Sequence, residues 1–415
     1  MKEKNRGQLA RRLLSDSAWS IAGLVLMNAV AQFVVYPVWN RQLGNEAYGR
    51  ILYLVAGMNI LAISMGVAAN YARMKASAEG KTENRPYSRI LLIAACAMAP
   101  WCLLVALFAG QGGLNLPETV LLALLGMATM WRFYADVEYR LSLDYRAFFF
   151  YYLAISIGYG IGIGLFLWLG LWPLALLPGE LLGVFLVYRR GTVLKRIPGE
   201  SREDKAVTRM VMTLFTTEVI SNLILNGGRM LLTWLVNATA VTVYYQASLM
   251  GKTMTLVTTP LNSVLIGYLS RVKGGLTKQI MNRVTLAALA VLPAATVLCT
   301  LGSHLLIKIL YPRNYELVSP YFIMANVAQA AFFVSAVAAT VLLRFCRAGC
   351  QLVINGVYAG LFLLLCVPGV LLWQVEGLCV GMMIAGLLKL AFVLFLGYRN
   401  VKKLQAGTDT TECCG

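Results

Sequence analysis

The chain has 415 residues, 59% of them hydrophobic and only 13% charged, with a mean hydropathy of +0.70. A soluble protein of this length could not hide that much apolar surface, so lipid must solvate a large part of it. The formal net charge is +18, but the basic residues cluster between apolar spans instead of interleaving with a polar surface. That excludes the nucleic-acid-binding class and leaves a membrane protein.

The pattern predicts an all-α membrane protein of about twelve transmembrane helices. The expected spans are 17–39, 50–71, 89–110, 117–135, 147–169, 172–188, 210–235, 240–269, 284–303, 317–342, 350–373 and 378–398. They form two six-helix lobes, 17–188 and 210–398, joined by a linker at 189–209 that contains Pro198 and Gly199. A basic tail (1–16) precedes them and a second tail (399–415) follows. The first span is too long for a signal-peptide core and lacks a small-x-small cleavage site, so it is expected to be retained. Of the 36 Lys and Arg, 29 fall in the two tails and in alternate connections, while the other connections hold only Arg41, Arg50, Lys308 and Arg313. This positive-inside asymmetry predicts cytoplasmic termini. The ends of the two lobes, Gly179–Arg190 and Leu387–Asn400, are loosely alike, which suggests a parallel repeat about an axis along the membrane normal.

Ionisable groups inside apolar spans carry the functional signal, because each costs at least ~2.5–3.5 kcal/mol at the bilayer centre. The seventh span has Glu218, Asn222, Asn226 and Arg229, whose spacing puts all four on one helical face. Such a stripe faces either a polar cavity or another helix; a charge at each end favours the cavity. Lys252 sits mid-span in the eighth, where a structural ion pair and an anionic-substrate contact are both open. Glu180 and Lys389 occupy similar positions in the sixth and twelfth spans and are candidates, with Glu218, for ion coupling or for a buried pair. Arg132 and Asp136, four apart, suggest a local interfacial pair. Gly158, Gly160, Gly162 and Gly164 suggest a closely packed fifth span.

Cofactor and metal sites are not expected. The single histidine is His304, and Cys96, Cys102, Cys299, Cys366 and Cys379 lie in apolar spans while Cys413 and Cys414 end the tail. A Walker motif, HExxH and GxSxG are all missing and the outer connections are short, which argues against ATP-driven transport and against an enzyme.

Several segments together carry a family resemblance. They are RQLGNEAYGRILYL (Arg41–Leu54), the stretch Asn226–Val272, LYPRNYELVSPYFIMAN (Leu310–Asn326) and VEGLCVGMMIAGL (Val375–Leu387). In this order they resemble the polysaccharide-exporter branch of the multidrug/oligosaccharidyl-lipid/polysaccharide (MOP) flippase superfamily, the Wzx-type O-antigen and capsule repeat-unit flippases. The resemblance implies two lobes opening alternately to either side of a bacterial inner membrane. It also implies a substrate built as an oligosaccharide repeat unit on undecaprenyl diphosphate, moved from the inner to the outer leaflet. It leaves room for polysaccharide polymerase and glycosyltransferase partners in the surrounding lipid. On this reading Arg229 and Lys252 meet the anionic headgroup, Asn222 and Asn226 meet sugars, and Glu218 is a coupling candidate. Many relatives show Asp-Arg where this chain has Gly228-Arg229, so coupling at that point is either supplied by Glu218 or arranged differently. The rivals are an ion-coupled multidrug exporter of the same superfamily and a membrane glycosyltransferase or ligase.

Overall fold

A chain surrounded by lipid must satisfy its backbone N–H and C=O groups internally, which leaves helices as the spanning element for apolar runs of this kind. The computed structural model describes residues 18–19, 21–80, 83–109, 115–195, 205–254, 258, 277–343 and 349–405, and among these every regular element is helical. The N-terminal basic tail, part of the 189–209 linker, most of the eighth span beyond residue 254 and the Cys413–Cys414 tail lie outside the described residues.

Eight described helical stretches are long and apolar enough to cross a membrane. Two of them, Ile21–Ser77 and Val353–Val401, run for 57 and 49 residues. At 1.5 Å per residue each exceeds twice the ~20 residues that a single crossing needs, and each is broken. The first breaks at Gly44, with φ 82° and ψ 177°, giving α1 (21–43) and α2 (45–78). Only glycine reaches that backbone region without a Cβ clash. Asn40 Nδ2 donates to Asn45 Oδ1 across the break at 2.9 Å. The expected connection between the first two spans is therefore a break at a single residue, with Tyr48 fully buried just beyond it.

The first compact unit runs to Trp234. After α2 it contains α3 (Arg85–Leu107), α4 (Leu116–Ala135), the short α5 (Val137–Ser142), α6 (Tyr145–Leu169), α7 (Leu177–Arg190) and α8 (Lys205–Leu235). Leu143 (φ 56°) turns the chain between α5 and α6, and Asp144 caps α6 by accepting from Ala147 N at 3.0 Å. Helix α8, the seventh expected span, packs on α2: Asn222 Nδ2 donates to Ser64 Oγ (3.0 Å) and Trp234 Nε1 to Tyr53 Oη (3.1 Å).

The second unit begins at Leu235. It contains α9 (Ala238–Ala247), α10 (249–254), α11 (Lys278–Leu310), the one-turn α12 (Tyr315–Val318) and α13 (Phe322–Leu343). The helix Gly349–Gln405 is interrupted at Trp373 and Gln374, giving α14 (349–372) and α15 (375–405). Asn237 caps α9 through Ala240 N (2.8 Å). A Met281, Ala338, Leu342, Ile354 and Val393 core joins α11, α13, α14 and α15.

The four glycines of α6 divide into two pairs by the period of the helix. A Cβ on Gly158 would stand 2.5 Å from Gly179 Cα, and Gly162 lies against the carbonyls of Leu174 and Ala175. Nothing lies within 4 Å of the Cβ positions of Gly160 and Gly164. Backbone-to-backbone contact explains the first pair only. Gly158→Ala should therefore lower thermal stability by about 1–3 kcal/mol through overpacking, whereas Gly160→Ala should leave it unchanged. Thermal unfolding of the detergent-purified variants, followed by fluorescence-detected size exclusion, reads the difference.

Candidate functional site

The stripe on α8 holds together as the spacing requires. Asn222 Nδ2 donates to the Glu218 carbonyl and Asn226 Nδ2 to the Asn222 carbonyl, each at 3.0 Å. Asn222 is buried at 8% exposure, while Glu218, Asn226 and Arg229 are half-buried. Tyr36 of α1 lies within electrostatic reach of Arg229 and of Glu180. Tyr71 of α2 stands in the same relation to Glu218, Asp136 and Arg140. The stripe thus belongs to a polar system that continues into the unit, and part of it serves as an interhelical seam through Ser64.

That system centres on charges buried among α4, α6 and α7. Arg132 Nε donates to Glu180 Oε2 at 2.5 Å, with both side chains at most 5% exposed. Tyr159 Oη donates to Glu180 Oε1 at 2.5 Å, and the Arg132 guanidinium lies 3.9 Å from the Phe133 ring centroid. One turn further on, Asp136 accepts from Asn70 Nδ2, from Tyr152 Oη at 3.0 Å and from Arg140 at 3.2 Å through both oxygens. The expected local pair of Arg132 with Asp136 is therefore corrected. Both carboxylates have partners on other elements or in α5, because low surroundings of water make a single exposed i,i+4 contact insufficient for a fully buried charge. Of the coupling candidates, Glu180 is half of a buried ion pair, an arrangement that sequence reasoning left open. Tyr152, Tyr159 and Asn70 were missed; their signal was the presence of hydroxyl and amide groups in spans opposite ionisable ones.

The second unit carries the other two candidates. Lys389 of α15 is only 4% exposed, with its Nζ 4.2 Å from the Phe332 ring of α13 and 4.5 Å from the Tyr358 ring of α14. Two aromatic faces thus supply cation–π attraction in place of a carboxylate. Lys252 of α10 is half-buried, its Nζ 4.8 Å and 5.0 Å from the rings of Tyr244 and Tyr245. The two lysines use different aromatic pairs. Nearby amides form a further buried set: Asn314 Nδ2 donates to Gln246 Oε1 at 3.0 Å and Asn326 Nδ2 to Ser303 Oγ at 2.9 Å.

Among the described residues no group of three or more His, Cys, Asp and Glu could hold a metal ion. His304 Nδ1 instead shares a hydrogen with Tyr315 Oη at 2.8 Å. Cys102, Cys299, Cys366 and Cys379 are buried free thiols, while Cys96 is exposed.

The ion pair generates a stability prediction. Arg132→Met leaves Glu180 buried and uncompensated and should cost about 3–5 kcal/mol. The double variant Arg132→Met, Glu180→Gln should recover most of that loss. Strictly additive losses in the double-mutant cycle would show that the two side chains do not act as a pair.

The comparisons agree with this architecture. A family model described as "Polysaccharide biosynthesis protein" matches residues 38–320. No curated protein sequence matches the chain. An inward-facing multidrug resistance MATE family transporter of the MOP superfamily is similar in fold, with a TM-score of 0.68 at 13% identity over 94% of this chain and 100% of that one. So is the lipid II flippase MurJ in an inward closed conformation, with a TM-score of 0.67 at 13% identity over 97% and 93% of the two chains. The bent form of the Vibrio cholerae MATE transporter VcmN gives a TM-score of 0.59 at 12% identity over 97% and 99%. The chain is a multi-pass membrane protein with the fold of MOP-superfamily transporters, and it belongs to the polysaccharide biosynthesis protein family.

Proposed function

We propose that the chain is a flippase for oligosaccharide repeat units carried on undecaprenyl diphosphate, moving them from the inner to the outer leaflet of a bacterial cytoplasmic membrane. The observation that carries this reading is the α8 stripe, an amide ladder ending in Arg229 inside a span that lipid would otherwise expel. Arg229 and Lys252 supply positive charge for a diphosphate, and charge-assisted hydrogen bonds to phosphate oxygens are the strong kind. Asn222 spends its two Nδ2 hydrogens on the helix and on Ser64, and Asn226 spends one on the helix, which leaves their Oδ1 acceptors for sugar hydroxyls. The polyprenyl tail stays in lipid throughout.

Glu218, Glu180 and Lys389 are the coupling candidates. Glu180 would act by exchanging its Arg132 and Tyr159 contacts, and Glu218 more directly, being a half-buried member of the stripe. Family membership supports the polysaccharide side of the reading, and a flippase of lipid II with this fold supports the lipid-linked side. A polysaccharide polymerase and glycosyltransferases are the partners that this step would need before and after it. The MATE neighbours favour the multidrug exporter as second reading. The basic side chains Arg229 and Lys252 suit an anion better than a cationic drug.

Arg229→Ala and Lys252→Ala should each reduce surface polysaccharide roughly tenfold or more, the effect of losing a hydrogen bond to a charged group, with membrane levels of the protein unchanged. Immunoblotting of membranes beside quantified surface polysaccharide checks both points. Full export by both variants would contradict the assignment.

A further inference from the structure

Away from the stripe, the first unit has an open cavity of about 580 Å³ where α5 and the start of α6 meet the end of α7. Its lining changes character along its length. Phe150, Ala154 and Leu186 make an apolar lower wall, and Phe150 is 61% exposed, as a lipid-facing side chain would be. Glu138, Asp144 and Arg190, at the helix ends, supply its charged lining, and Tyr139 and Tyr151 line it as well. The Tyr139 hydroxyl is within electrostatic reach of all three charges. The neighbouring Arg140, Arg146, Arg189 and Lys195 mark this as the basic end of the unit, the headgroup level of one leaflet.

We propose that this groove binds an aminophospholipid, a headgroup in which a phosphate is joined by a short chain to a primary ammonium, as in phosphatidylethanolamine. Among the residues that line the groove itself, two carboxylates stand against one guanidinium, which disfavours a purely anionic headgroup and hence the diphosphate of the proposed substrate. They suit a ligand carrying both signs. The ammonium donates to Asp144 and Glu138 while the phosphate accepts from Arg190, and an acyl chain runs along Phe150, Ala154 and Leu186. The carboxylates are already held in place. Glu138 Oε2 accepts from Thr192 N (2.8 Å) and Val193 N (2.9 Å), and Asp144 Oδ1 from Ala147 N (3.0 Å). Because each keeps further lone pairs, a lipid ammonium adds to these contacts without breaking them. The inference is independent of the flippase reading.

Native mass spectrometry of the intact protein, released from detergent with phosphatidylethanolamine, its N-monomethyl form or phosphatidylcholine of identical acyl chains, tests it. The expected result is retention of the primary amine about fivefold above the trimethylated lipid, the upper end of what one solvent-exposed ion pair contributes, with the monomethyl form between them. Asp144→Asn keeps the helix cap, since asparagine caps as well as aspartate, yet should remove most of the preference. Arg190→Gln should weaken all three lipids together. Equal retention of the three lipids by the wild type, stronger retention of phosphatidylglycerol, or a preference undiminished by Asp144→Asn would each overturn the proposal.

Discussion

The absence of water around most of this chain governs where its few charges can stand. In an aqueous protein Arg132 and Glu180 would be unremarkable surface groups. Here each is at most 5% exposed and held to the other at 2.5 Å, because an isolated ion in such surroundings would cost several kcal/mol. The same demand recruits Tyr159 to Glu180, and Asn70, Tyr152 and Arg140 to Asp136. Helices α2, α4, α5, α6 and α7 are thereby tied into one polar core inside an apolar unit. The α8 stripe lies against that unit through Ser64, so it inherits a rigid support on one side.

A likeness between the halves emerges from these contacts. Two buried charges each face two long helices that precede their own. Glu180 of α7 meets Arg132 of α4 and Tyr159 of α6; Lys389 of α15 meets Phe332 of α13 and Tyr358 of α14. A tyrosine from the helix immediately before takes part in both. One half neutralises its charge with an opposite ion, the other with aromatic faces, which are two physical solutions to one desolvation problem.

Much of the helical arrangement was legible because apolar length and helix period are local properties. The Gly44 turn, the face shared by Glu218, Asn222 and Asn226, and the depth of Glu180 and Lys389 all follow from spacing alone. Partners were not legible. The i,i+4 spacing of Arg132 and Asp136 suggested a pair, yet each bonds elsewhere because the deciding contacts come from residues 48 and 66 positions away. The two rings that Lys389 meets come from α13 and α14, beyond the view of its own helix. Half of the α6 glycine series packs against backbone and half does not, a distinction that depends on where α7 lies.

The central claim is that lipid-linked repeat units cross the membrane through this protein. The measurement that tests it most directly is the leaflet distribution of lipid-linked oligosaccharide in cells lacking the chain, read by accessibility of the glycan to an impermeant oxidant or lectin in intact cells and inverted vesicles. The account predicts complete units trapped on the cytoplasmic leaflet and restored to the outer leaflet by the intact protein. Complete units reaching the outer leaflet at the normal rate without it would contradict the account.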